Sequence, residues 1–175
     1  TDERDAESAL DIAGDATRQH PSRIVCVVTG NRRAANRIDA RFAALRDAKK
    51  KAFVAYVCAG DPTLDATIDI VLGLERAGVD IVELGVPFSD PLADGVVNQM
   101  AADRALKAGA TTPGVLEMIR KLRTKSQIPI VLFTYLNPIF TYGFEKFHEE
   151  AAAAGADGIL LLDLPPDEAA QNNDL

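Results

Sequence analysis

Four short apolar runs, separated by segments of helical periodicity, constrain the fold of this 175-residue chain more than any other feature. They lie at residues 52–59 (AFVAYVCA), 79–84 (VDIVEL), 129–134 (PIVLFT) and 158–162 (GILLL). Runs this apolar, rich in β-branched and aliphatic residues, predict strands of a parallel sheet buried on both faces. Turn residues close them, as Gly60-Asp61-Pro62 does after the first. The intervening segments read as helices. Ile38, Phe42 and Leu45 share one helical face, and Lys49 to Lys51 follow where cations suit the helix dipole. Leu64, Ile68, Val71 and Leu72, with Leu74 behind them, predict a second helix ending near Gly78. Residues 97–108 predict a third. Thr112 and Pro113 are read as N-cap and first residue of a fourth, which carries Val115, Met118, Ile119 and Leu122. Residues 144–154 complete the set.

Strand and helix alternating in this way leave two α/β architectures. An open doubly wound sheet carries a glycine-rich phosphate fingerprint after its first strand, and no G-x-G-x-x-G surrounds residues 60–62. The expected fold is therefore a (β/α)8 barrel of TIM type. Such a barrel takes about 250 residues, so residues 37–175 are expected to be its first half, about four βα units of an incomplete chain. Residues 1–36 fall outside the repeat as an N-terminal extension of unknown role, with a lone strand expected at 24–29.

Composition narrows the partners. A formal charge of −7 and a pI near 4.8 argue against nucleic acid and anionic membranes, both of which select basic surfaces. Cys26 and Cys58 are far apart and lack histidines at zinc spacing, so neither a disulfide framework nor a metal site is expected. No apolar run approaches the ~18 residues of a membrane span, and the acidic start lacks a signal-peptide pattern. A cytoplasmic protein acting on a small molecule or another protein fits.

In such barrels functional groups gather at the C-terminal ends of the strands. Asp61, Glu83, Tyr135, Asn137 and Asp163 stand at those ends. Glu83 falls between Val82 and Leu84, so alternation turns it away from its apolar neighbours. A partly desolvated Glu has its pKa raised, which suits a general acid–base group. The pattern equally admits a structural carboxylate that caps loop amides or faces solvent. Asp90 and Asp94, beside Pro91 and Gly95, are open to the same plain reading as turn residues.

The loop Glu83-Leu-Gly-Val-Pro-Phe-Ser-Asp-Pro-Leu-Ala-Asp94-Gly95 resembles the signature of the tryptophan synthase alpha-chain family. Phe53-Val-Ala-Tyr56 leading to Gly60-Asp61-Pro62, Tyr135-Leu-Asn-Pro138 and Leu162-Asp-Leu-Pro165 agree in order, so the resemblance covers about residues 37–168. It implies retro-aldol cleavage of indole-3-glycerol phosphate to indole and glyceraldehyde 3-phosphate. By similarity, Glu83 protonates indole C3 and helps deprotonate the side-chain hydroxyl, and Asp94 accepts the indole N–H. Tyr56, Phe133, Tyr135 and Leu160 are expected to wall the indole, and Asp163 to orient the loop at 83–95 more than to touch substrate.

The resemblance implies no cofactor for this chain, because the pyridoxal phosphate of the family belongs to the beta chain. That chain, in an alpha2–beta2 assembly, is the implied partner at Asp90, Pro91, Asn137 and Pro138. Phosphate-binding loops, which the family places after its last two strands, are absent from these residues. A catalytically silent half-barrel interaction module is the alternative reading, with another phosphate-using barrel enzyme third. Val96 replaces the proline usual after Ala-Asp-Gly, which is expected to loosen the turn holding Asp94. Residues 88–95 are expected to be mobile in the free chain, and Glu83 fixed.

Overall fold

The computed structural model describes residues 25–27 and 37–164. Strands β2 (Val54–Cys58), β3 (Ile81–Gly85), β4 (Ile130–Thr134) and β5 (Gly158–Leu161) pair in chain order, each parallel to the next. β1 (Val25–Val27) adds antiparallel to the outer edge of β5. It occupies the middle of the strand expected at 24–29, and the rest of residues 1–36 lies outside the described residues. The expected parallel order of the four barrel strands is therefore met, each observed strand falling within a residue or two of its sequence-predicted bounds.

Helices α1 (Arg37–Asp47), α2 (Leu64–Arg76), α3 (Val96–Lys107), α4 (Thr112–Arg123), α5 (Leu136–Tyr142) and α6 (Phe144–Ala154) fill the connections. Two details depart from expectation. Thr111, not Thr112, caps α4: its carbonyl accepts from Val115 N and its Oγ1 from Gly114 N, so the helical ladder begins one residue earlier. Helix α5 occupies a stretch for which the sequence pattern predicts no element. Pro138 falls at its third position, where the missing N–H has no intrahelical acceptor to lose.

The core lies between one face of the sheet and helices α2, α4 and α6. Val82, Leu84, Ile130, Leu132, Ile159 and Leu161 pack there against Val71, Val115, Ile119, Leu122 and Phe147. All of these side chains are essentially inaccessible to water. Burying one such aliphatic chain contributes roughly 1.5–3 kcal/mol, so this layer outweighs any surface contact in holding the sheet.

Helix α1 docks differently from its sequence pattern. Of the face formed by Ile38, Phe42 and Leu45, only Leu45 is buried, and Phe42 is 43% exposed. Its arginines anchor it instead. Arg37 reaches Asp157 (2.9 Å) and Gln127 (2.8 Å), and Arg41 reaches Asp80 (2.8 Å). Asp80 and Asp157 are buried at the N-terminal ends of β3 and β5. Asp157 also pairs with buried Arg123 (2.9 Å) and accepts from Ile130 N (2.9 Å). Burial pulls the Arg123 guanidinium down to about 10, against the pull of Asp157. Among the described residues no helix is long and apolar enough to cross a membrane.

Three outcomes follow from these contacts. Asp157→Asn leaves Arg123 buried without its counter-charge and should cost about 3 kcal/mol, read as a lower urea midpoint. Asp80 is held below the ordinary carboxylate range, chiefly by the Phe53 N–H and then by Arg41. Its stabilisation is therefore full above about pH 4, the unfolded value, and is lost as pH falls through the lower folded value. Asp80→Asn should remove that part of the acid slope in a pH series of urea melts. At the start of α3, Gly95 has φ −70° and ψ 161°, suited to the residue before proline, and exposed Val96 opens the helix. Val96→Pro should raise stability by roughly 0.4–1 kcal/mol, measured as a higher thermal midpoint.

Candidate active site

Strand pairing puts the polar groups on the face of the sheet opposite the core. Tyr56, Glu83, Val131 and Gly158 stand side by side in one row. Cys58, Gly85, Phe133 and Leu160 form the next row toward the C-terminal ends. In a parallel barrel the side chains on the face away from the helices point into the interior. Tyr56, Glu83, Phe133 and Leu160 are half-buried on this face. The outward neighbours of Glu83, Val82 and Leu84, belong to the helix-packed core, so the carboxyl is directed to this face. Burial raises its pKa above the usual range.

The aromatic residues meet across a glycine. A Cβ at Gly85 would come within 2.3 Å of the Tyr56 hydroxyl, so glycine on β3 lets the Tyr56 ring lie across it. There the ring stands edge-on to Phe133, with centroids 5.3 Å apart. The Tyr56 hydroxyl holds its proton tightly because it is buried, and then because Cys58, Asp94, Tyr135 and Glu83 lie in its field. The two carboxylates singled out from the sequence thus share one neighbourhood with two tyrosines.

Asp94 reaches this neighbourhood on the loop after β3. Tyr135, only 6% exposed, donates its hydroxyl to Asp94 Oδ2 (3.0 Å) and accepts from Ala93 N (3.0 Å). The Phe88 ring tilts against the Tyr135 ring at 5.3 Å. Gln99 Nε2 donates to the Asp94 carbonyl (2.8 Å), and Asp94 N to the Pro91 carbonyl (3.0 Å). Restraint on Asp94 therefore comes from Tyr135 and Gln99, independently of the residue at 96. The loop expected to be mobile has anchors at both ends.

Two further groups hold the rim. Asp163 accepts from Leu136 N (2.6 Å), capping α5 after β4, so it ties down that loop and not the one at 83–95. Arg104 on α3 forms a two-pronged pair with Asp61, at 2.9 and 2.7 Å, which joins α3 to the end of β2. Sequence reasoning places Asp61 at a strand end but passes over Arg104 and Gln99. Arg104 meets its partner across 43 residues, which no local pattern carries, whereas Gln99 lies only five residues from Asp94. Asn137 is exposed at the start of α5. An open cleft of about 500 Å³ lies at the other end of the sheet, beside Arg37, Arg41, Asp80 and Gln127. Its Arg37, Arg41 and Asp80 are engaged in the ion pairs that dock α1.

Residues 42–175 match the family model described as tryptophan synthase alpha chain. The tryptophan synthase alpha chain of Geobacter sp. (strain M21) is 57% identical over 136 residues, 78% of this chain and 51% of that protein. That of Clostridium kluyveri (strain NBRC 12016) is 50% identical over 133 residues, 76% and 51% respectively. Among solved structures, tryptophan synthase subunit alpha from Legionella pneumophila str. Paris superposes with a TM-score of 0.77 at 44% identity, covering 79% of this chain and 53% of that one. Tryptophan synthase from M. tuberculosis in an aminoacrylate-bound form gives 0.73 at 34% identity, covering 78% and 56%. The chain spans about half the length of the curated relatives it matches. Its four parallel strands are the matching half of a TIM barrel, and the chain belongs to the tryptophan synthase alpha-chain family.

Proposed function

We propose that these residues supply the carboxylate half of a site that cleaves indole-3-glycerol phosphate to indole and glyceraldehyde 3-phosphate. The observation that carries the reading is the pairing of Glu83, its pKa raised by burial, with Asp94, held by Tyr135 on the same rim. Two carboxyl groups in unlike surroundings can divide acid and acceptor roles.

The chemistry assigns each a step. Glu83 donates a proton to indole C3, and Asp94 accepts the hydrogen bond of the indole N–H as the ring nitrogen becomes positive. The hydroxyl on the carbon attached to C3 then loses its proton, with deprotonated Glu83 as the acceptor. The oxygen electron pair forms the aldehyde C=O, the carbon–carbon bond breaks, and its electrons return to the ring to restore indole. One proton enters and one leaves, so no co-reactant is required. Tyr56, Phe133 and Leu160 provide the apolar surface that an indole ring needs. Phosphate recognition falls to residues beyond these, in the other half of the barrel.

The proposed partner is a tryptophan synthase beta chain in an alpha2–beta2 assembly, meeting the rim at Asp90, Pro91, Asn137 and Pro138. Exposed apolar side chains there support it: Leu92 is 83% and Phe140 75% exposed beside those residues. No cofactor is assigned to this chain, and the proposed compartment is the cytoplasm.

The test joins the 175-residue chain to the second half of the Geobacter sp. alpha chain and measures indole formation. Glu83→Gln removes a proton donor and almost no volume, so turnover should fall at least about 10²-fold with KM little changed. A variant keeping more than about a tenth of the turnover would show that Glu83 is not the acid. Activity of the unaltered fusion should also decline as pH rises through the raised pKa of Glu83. A folded but inactive fusion would favour the silent interaction module.

A further inference from the structure

We infer that Tyr135 is a positioning residue whose hydroxyl, oriented by the loop's own amide, occupies one oxygen of Asp94 and leaves the other free for the indole N–H. The inference deepens the proposed function and rests on the reading of Asp94 as the acceptor in that reaction.

The geometry is directional. A tyrosine hydroxyl has one proton to give and can also accept. Its oxygen accepts the Ala93 N–H at 3.0 Å, so the proton is turned away from that amide. Asp94 Oδ2 lies in the remaining direction, also at 3.0 Å. The amide and the carboxylate belong to successive residues of one loop, so a single side chain on β4's C-terminal end holds both the backbone and the functional group. Because the ring is buried and packed against Phe88, the hydroxyl itself has little freedom to swing.

The consequence is selective. With Oδ2 engaged by Tyr135, Oδ1 accepts no hydrogen bond among the described residues and is the oxygen available to a substrate N–H. Phenylalanine at 135 would keep the wall of the pocket and the contact with Phe88, yet release Asp94 to rotate about its χ angles. Geometry lost by about an ångström at a reacting group can cost on the order of 10²-fold in rate. Tyr135 thus does more than line the pocket, the role that its aromatic ring suggests from sequence.

Two measurements test this, one of which needs no activity. In the 175-residue chain, NMR of the Tyr135 ring should show a hydroxyl that titrates at about 12, raised by burial and then by its bond to Asp94. Asp94→Asn should lower that value, and an unchanged titration would overturn the contact on which the inference stands. In the fusion with the Geobacter sp. second half, Tyr135→Phe should lower kcat roughly ten- to a hundred-fold with KM within about twofold. The double variant with Asp94→Asn should be no slower than Asp94→Asn alone, because the hydroxyl acts only through that carboxylate. Full activity of Tyr135→Phe, or losses that multiply in the double variant, would overturn the inference while leaving the proposed reaction intact. An inactive unaltered fusion would count against the proposed reaction instead, and the ring titration would then decide the contact by itself. The same titration decides if Tyr135→Phe fails to fold.

Discussion

The two-residue period of a strand governs everything else in this molecule. One face of the parallel sheet is closed by α2, α4 and α6 over Val82, Leu84, Ile130, Leu132, Ile159 and Leu161. A slip of one residue on β3 would drive Glu83 into that layer and expose Val82 and Leu84. Burying an unpaired carboxylate there costs several kcal/mol, on top of the apolar burial lost. The register that places Glu83 beside Tyr56 is therefore held by hydrophobic packing on the opposite side of the sheet. The Glu83 carboxyl is thus placed by packing on the other face of the sheet.

The two ends of the sheet have separate jobs. At the N-terminal end, Asp80 and Asp157 gather Arg41, Arg37 and Arg123 and also accept from the backbone N–H of Phe53 and Ile130. These carboxylates join α1 and α4 to the strand entrances, and their lone pairs are committed to structure. At the C-terminal end, the polar groups are tied more sparingly. Burial raises the Glu83 carboxyl above the usual range, and Asp94 is held through one of its oxygens. Stability at one rim and available chemistry at the other is the division expected of a parallel barrel.

Helix α3 shows how a lightly packed element can still be placed. It buries the small residues Ala101, Ala102 and Ala105 against Cys58 and Ala110, leaving Val96, Val97 and Met100 exposed. Alanine contributes little apolar area, so the directional contacts carry more of the placement: Arg104 to Asp61 at one end and Gln99 to the Asp94 carbonyl near the other. An exposed ion pair is worth at most about 1 kcal/mol, but its two-pronged geometry sets orientation more than energy. The loop bearing Asp94 is thereby strung between β3, whose register is sealed, and a helix whose position is specified by polar contacts.

Sequence by itself determined the order and kind of the main elements, because apolar period and turn chemistry are local properties of neighbouring residues. The parallel run of β2 to β5, the helices between them, and the placement of Glu83 away from Val82 and Leu84 were legible for that reason. The thirteen-residue loop from Glu83 to Gly95 also carried the family, since its spacing survives in one stretch of chain. Tertiary structure alone decided which groups meet. That Arg37 and Arg41 seat α1 while Phe42 stays exposed, that Asp163 caps α5, and that Tyr135 grips both Ala93 and Asp94 depend on residues tens of positions apart. Helix α5 escaped a local reading because Pro138 resembles a loop signal until its first-turn position is known. Hydrophobic pattern specifies which face of an element is buried, but partner choice among polar side chains depends on distances that exist only once the sheet has closed those elements together.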